Sequence, residues 1–181
     1  REERTRVKIG FLGDSITYGY GLDNRERDRY ATLVCDALGC EQVNLGITGT
    51  LVARAGLSRS DGTSFLDRLP KLEGCDRAVV FGGTNDFGHG DAPLGTPADR
   101  DPSTFWGACH FLMSGLLERY CGKPVAILTP LHRQNEANPR GDGNKPCDAA
   151  PLSVYRKILM EVAEHYALPV LDLYAVSGIQ P

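Results

Sequence analysis

Val7-Lys8-Ile9-Gly10-Phe11-Leu12-Gly13-Asp14-Ser15-Ile16-Thr17 sets the pattern for the rest of the chain. Its first six residues form an extended, mostly apolar run that Gly13 closes, the pattern of a buried first strand. That strand ends by presenting a small hydroxyl residue, Ser15, on a glycine-led turn. In open α/β sheets ligands sit at the carboxyl ends of the strands. A serine so placed is a candidate nucleophile, provided that a base and an oxyanion site lie nearby. An ordinary strand-ending turn is the competing reading of these residues alone.

Outward from this stretch the chain alternates. Residues 17 to 29 are charged and glycine-containing, and read as a surface connection. Tyr30, Leu33, Val34, Ala37 and Leu38 then fall on one helical face, and Gly39 stops the helix. A short second strand spans Gln42 to Leu45. Residues 51 to 62 show no periodicity. Thr63 is a plausible cap for a short helix carrying Phe65, Leu66 and Leu69. A third strand, Arg77 to Phe81, ends on glycines. A long polar loop covers Phe87 to Pro102, and Asp101-Pro102-Ser103 opens a helix whose apolar stripe includes Phe105, Ala108, Cys109, Leu112, Leu116 and Tyr120. Strand four is Val125 to Leu128. A second polar loop, Leu131 to Ala150, leads to a helix lined by Leu152, Tyr155, Leu159, Val162, Ala163 and Tyr166. Strand five is Val170 to Leu173. Strands that alternate with helices imply a parallel sheet with helices on both faces.

Two later turns add to the first. Asn44-Leu45-Gly46-Ile47-Thr48-Gly49-Thr50 follows the second strand, and Gly82-Gly83-Thr84-Asn85-Asp86 follows the third. In order and context, these three blocks resemble the first three motif blocks of the SGNH (GDSL-type) hydrolases. That family includes esterases, lipases, thioesterases and sugar deacetylases. The resemblance runs over nearly the whole chain. It implies a three-layer αβα, flavodoxin-like fold with a five-stranded parallel sheet in the order 2-1-3-4-5. It also implies roles: Ser15 as nucleophile, and the Ser15 N–H, the Gly49 N–H and the Asn85 amide as oxyanion donors. The residue types suit those roles. Gly49 has no side chain to block the backbone, and Asn85 is a neutral donor. Turn formation is the alternative for Gly49 and Asn85. Asp14 reads first as a turn-shaping residue. With His89 and His132 in the long loops, it is also a candidate to line the substrate site.

The family places its general base in an Asp-x-x-His block after the last strand, and no such block follows strand five in this sequence. Of its four histidines, His110 and His165 fall within helices and read as packing or surface residues. His89 follows the third block and His132 follows strand four. Neither is assigned as base by position. The expectation is one domain over residues 1–181, with the catalytic loop and last helix lying beyond Pro181. A last helix would cover apolar sheet surface that otherwise stays bare.

Composition narrows the function classes. The 20 basic and 23 acidic residues are well mixed, for a net charge of −3, so there is no basic stripe of the kind nucleic acid requires. No apolar run is long enough to span a membrane. The six cysteines include no Cys-x-x-Cys pair, and no histidine lies at zinc-ligand spacing from them. They read as reduced, partly buried thiols of a cytoplasmic protein. Neither a metal nor a cofactor is expected. The first turn lacks the Gly-x-Gly-x-x-Gly and Gly-x-x-x-x-Gly-Lys phosphate cradles, which argues against a nucleotide- or flavin-binding protein. The long loops are rich in Asp, Asn, Arg and Gly and offer no greasy lid. The expected activity is therefore a carboxylic ester hydrolase working on a small-molecule ester, with a short acyl group on a polar alcohol or sugar. A non-catalytic binding relative that lacks the base is the alternative.

Overall fold

Strand β1 (Lys8–Gly13) lies inside a five-stranded parallel sheet, flanked by β2 (Glu41–Gly46) on one side and β3 (Arg77–Phe81) on the other. Beyond β3 come β4 (Val125–Leu128) and β5 (Val170–Leu171), so the order is β2-β1-β3-β4-β5, as expected. The computed structural model describes residues 6–54, 63–143, 145 and 150–181. Most of residues 51 to 62, which showed no periodicity in the sequence, fall outside them.

The alternation of side chains along β1 sorts the two faces. Ile9 and Phe11 pack under α3 (Tyr30–Leu38) with Ala31 and Cys35. Leu12 points the other way and joins Ala78, Val80, Val125 and Ile127. This larger core is closed by α4 (Phe65–Arg68), α6 (Phe105–Arg119) and α7 (Leu152–His165). Helices thus cover both faces of the sheet. On the α3 side, Val79, Ala126 and Leu128 are half-buried and Leu171 is 49% exposed.

Several boundaries differ from the sequence reading, each for a local reason. The connection after β1 is not irregular: it holds the one-turn helices α1 (Ser15–Tyr18) and α2 (Arg25–Asp28), capped by the side chains of Asp14 and Asn24. Helix α4 is capped by Ser64 rather than Thr63, in a reciprocal capping box with Asp67. Helix α6 starts at Phe105, not near Pro102, because Thr104 accepts the Gly107 N–H at 3.1 Å while Asp101 turns the chain through the Ser103 N–H. A further one-turn helix, α5 (Thr84–Gly88), begins what read as the loop after β3. Strand β5 stops at Leu171. There Asp172 engages Arg156 and Thr129, and the chain turns into α8 (Leu173–Val176). His110, expected at the surface or in packing, is buried and stacks edge-on with His165 and Tyr166.

Candidate active site

Ser15 opens α1 directly after β1 and is half-buried. Asp14 caps this turn. It is 1% exposed, and its Oδ1 accepts the Ile16 N–H at 2.9 Å. Burial, with a smaller push from Asp86, raises the Asp14 carboxyl to about 6, against the pull of the Ile16 N–H and Arg68. Gly13 is required where it stands: a Cβ there would lie 1.8 Å from Thr17 Oγ1. Thr17 is itself buried and shares a hydrogen bond of 3.0 Å with Tyr30 of α3. The turn is therefore fixed from its cap and from its buried face.

The end of β2 is pressed against the same turn. A Cβ on Gly46 would meet the Tyr18 backbone nitrogen at 2.2 Å. Asn44 spans the junction: its amide donates to Thr17 O at 2.8 Å and its carbonyl accepts the Gly46 N–H at 2.9 Å. Beyond it, Gly49 takes a left-handed φ of 75° that favours glycine. From β3, Asn85 donates to Thr50 O at 3.1 Å, and His89 Nε2 lies 3.3 Å from Gly49 O. The Asp86 carboxylate accepts the N–H groups of Val52 and Ala53 at 2.9 to 3.1 Å. Burial pushes this carboxyl up despite those bonds. The loop after β2 is thus held in place by the turn after β3.

Beneath the turns after β1 and β2 lies Arg68, 1% exposed. Its guanidinium donates to Gly13 O, Thr50 Oγ1 and Thr63 O, each at 2.8 Å, and to Leu45 O. One side chain therefore joins the carbonyl that precedes the Asp14-Ser15 turn to both ends of the β2 loop. Burial lowers its pKa to about 10, with Asp14 and Asp67 acting in the opposite direction. Lys145 is also buried and donates to Asp86 O at 2.7 Å and to Tyr155 at 2.5 Å.

Some donors remain open. Among the described residues, the N–H groups of Ser15 and Gly49 have no protein acceptor, and the Ser15 hydroxyl makes no hydrogen bond. Asn85 uses one amide hydrogen on Thr50 and keeps the second.

The other two strand ends carry a different cluster. His132 Nδ1 lies 2.9 and 3.0 Å from the Glu136 carboxylate oxygens. A carboxylate only accepts, so Nδ1 carries a proton. The ring packs on Tyr174 at a centroid distance of 3.7 Å, and Tyr174 also donates to Glu136 at 2.9 Å. Burial would raise Glu136, but the Arg133 N–H, His132 and Tyr174 outweigh it and hold it low. Asp172 is engaged with Arg156 and Thr129, and the Arg156 contact foremost keeps it ionised. The structure thus brings Ser15, Gly49, Asn85 and His89 to adjoining turns, keeps Asp14 beneath them, and ties His132 to Glu136. The sequence reading missed Asn44, Arg68 and Asp86. Position 68 shares a helical face with Phe65 and Leu72, which is the one signal that its arginine points inward. Among the described residues, no three His, Cys, Asp or Glu side chains are grouped to hold a metal ion, and no helix is long and apolar enough to cross a membrane.

An all-parallel sheet in this order, with a serine turn at the end of β1 and backbone and amide donors after β2 and β3, defines a flavodoxin-like α/β protein of SGNH type. The chain belongs to the GDSL-like lipase/acylhydrolase family, whose sequence profile matches residues 11–180. Among solved structures, it is similar to a protein from Lactobacillus plantarum, at 28% identity and a TM-score of 0.81, covering 97% of this chain and 81% of that one. It also shares its fold with a carbohydrate acetylesterase from Sinorhizobium meliloti, at 12% identity and a TM-score of 0.70, over 93% of this chain and 85% of that one. A carbohydrate acetylesterase family member from the same organism has 18% identity and a TM-score of 0.66, over 94% and 84% of the two chains. A comparison with curated protein sequences finds no match.

Proposed function

We propose that the protein is a serine esterase that hydrolyses carboxylic esters through an acyl-enzyme on Ser15. The observation that carries this reading is the set of open donors at adjoining strand ends: the N–H groups of Ser15 and Gly49 and the second amide hydrogen of Asn85. In the first step Ser15 Oγ attacks the acyl carbonyl and gives its proton to a general base. The three donors stabilise the oxyanion that forms, the alcohol leaves with a proton, and water then releases the acid.

The substrate is an ester of a short acyl group, acetyl foremost, on a sugar or other polar alcohol. Two features support this. The residues of the loops after β3 and β4 are mainly polar, including Asp91, Arg133 and Asp142. Of the two Sinorhizobium meliloti proteins of the same fold, one is named a carbohydrate acetylesterase and the other a member of the carbohydrate acetylesterase family. His89 and His132 belong to the substrate side of the proposal, from the loops, whereas Asp14, buried as the cap of α1, holds the turn from beneath rather than lining the site. The compartment is proposed to be the cytoplasm.

The test uses the protein expressed from its whole reading frame. Fluorophosphonate labelling at Ser15, with p-nitrophenyl acetate hydrolysis lost in Ser15→Ala, supports the reading. Unchanged turnover in Ser15→Ala refutes it. Saturable binding of an acetylated sugar without turnover or labelling would instead identify a binding relative.

A further inference from the structure

We propose that Cys35 and Cys40 are a disulfide-forming pair, which a small-molecule disulfide such as oxidised glutathione closes into a bond between α3 and β2. The two thiols already meet: Cys40 Sγ lies 2.7 Å from Cys35 Sγ, with the Cys40 thiol as donor. Backbone geometry holds them there. Gly39 ends α3 in a left-handed conformation with φ of 65°, and the N–H groups of Gly39 and Cys40 both reach the Cys35 carbonyl. This reversal folds Cys40 back over the last turn of the helix. The next residue, Glu41, is locked to the sheet by its N–H bond to Val7 O at 2.9 Å. The two sulfurs are thus held in contact.

The surroundings set the order of events. Cys35 is 3% exposed and packs with Ile9, Phe11 and Ala31. Cys40 is half-buried at the edge of that cluster. The Cys40 thiolate therefore attacks one sulfur of the oxidant, breaking its S–S bond and releasing one thiol. The Cys35 thiolate then attacks Cys40 Sγ and releases the second thiol. The two protons given up by the cysteines end on the two released sulfurs, and the two electrons lost by the protein reduce the oxidant to two thiols. Burial, followed by the Cys40 contact, pushes the Cys35 thiol up to about 12. Capping Cys40 removes the part of that push that comes from its charge. The bond would span the last turn of α3 and the first residue before β2. The first residue of α3 is Tyr30, which holds Thr17, and β2 ends in Gly46, which packs on Tyr18.

The experiment equilibrates the full protein with graded ratios of reduced to oxidised glutathione, then quenches with acid and alkylates under denaturing conditions. Both cysteines fall in one tryptic peptide, residues 30–54. The expected result is that oxidising ratios replace the doubly alkylated peptide by an unalkylated one about 2 Da lighter than the dithiol, which dithiothreitol reverses. In Cys40→Ser, Cys35 stays alkylated at every ratio. Accumulation of peptide with Cys40 glutathionylated and Cys35 alkylated would overturn the proposal. So would a disulfide-linked dimer through either residue, or an unaltered peptide at ratios that oxidise the exposed Cys121.

Discussion

Replacing Arg68 by methionine is the most direct probe of how the site is held together. Methionine fills the apolar part of the stem and removes only the guanidinium. Three acceptors at 2.8 Å, the Gly13 and Thr63 carbonyls and the Thr50 hydroxyl, then lose a charged donor, as does Leu45 O. A hydrogen bond to a charged group contributes about 1.5–3 kcal/mol. Against this, the variant no longer keeps a charge buried, a cost visible in the lowered pKa of Arg68. Leaving a buried acceptor without its donor costs about 1–3 kcal/mol. Domains are stable by only about 5–15 kcal/mol, so the loss would take a large share of the total. Equilibrium urea unfolding, followed by far-ultraviolet circular dichroism and by the fluorescence of the single tryptophan, Trp106, measures it. Arg68→Lys keeps the charge but cannot reach all of these acceptors at once, and should fall between wild type and Arg68→Met. A loss below about 1 kcal/mol for Arg68→Met, well inside the mutational norm, would mean that the guanidinium does not hold these turns together.

Asp14→Asn should keep the cap, because the amide oxygen can accept the Ile16 N–H, while removing a buried charge. The folded carboxyl is raised from 3.8 to about 6, so ionisation disfavours folding: the penalty is absent below about pH 4, grows as pH rises to 6 and is full above it. That rise corresponds to about 3 kcal/mol. Asp14→Asn should therefore stabilise the protein at pH 8 and not at pH 4, and equal effects at both would contradict the assignment. Asn85→Ala should lower kcat on p-nitrophenyl acetate about 10²–10³-fold with little change in KM. A change confined to KM would exclude the amide from the transition state. Gly46→Ala forces a Cβ into the Tyr18 nitrogen, where backbone cannot yield cheaply. A loss of at least about 2 kcal/mol in urea unfolding is expected, and a neutral result would show that β2 and the serine turn can separate.

The parts of the fold that were legible in the sequence are those with strong periodic or apolar signals. β1 and β3 are apolar runs closed by glycine, and α3 and α7 show a clear apolar face. The one-turn helices α1, α2 and α5 carry no period at all. They exist because Asp14 and Asn24 satisfy helix-opening N–H groups, or because Gly83 turns the chain, which a reading by hydrophobic period passes over. The three motif turns were legible because their residue types and order are distinctive. What supports them was not. Arginine is usually a surface residue, so Arg68 reads as the polar side of a short helix until its acceptors are seen. Asp86, next to Asn85, looks like a turn residue, and only the structure shows it gripping Val52 and Ala53. Cys35 and Cys40 are spaced like two unrelated thiols, and only the reversal at Gly39 brings them together.

The pairing of β1 with both β2 and β3 has a kinetic consequence. Gly13 is in register with Gly46 on one side and Phe81 on the other, so partners 33 and 68 positions away must be recruited before the serine turn has its neighbours. Parallel pairings of this kind close long loops and form slowly compared with local helices. During refolding, α3 and α7 should thus acquire ellipticity well before a fluorophosphonate can label Ser15. The reagent would then report completion of the sheet, and the lag between the two signals would time the closure of the crossovers that no local contact can shorten.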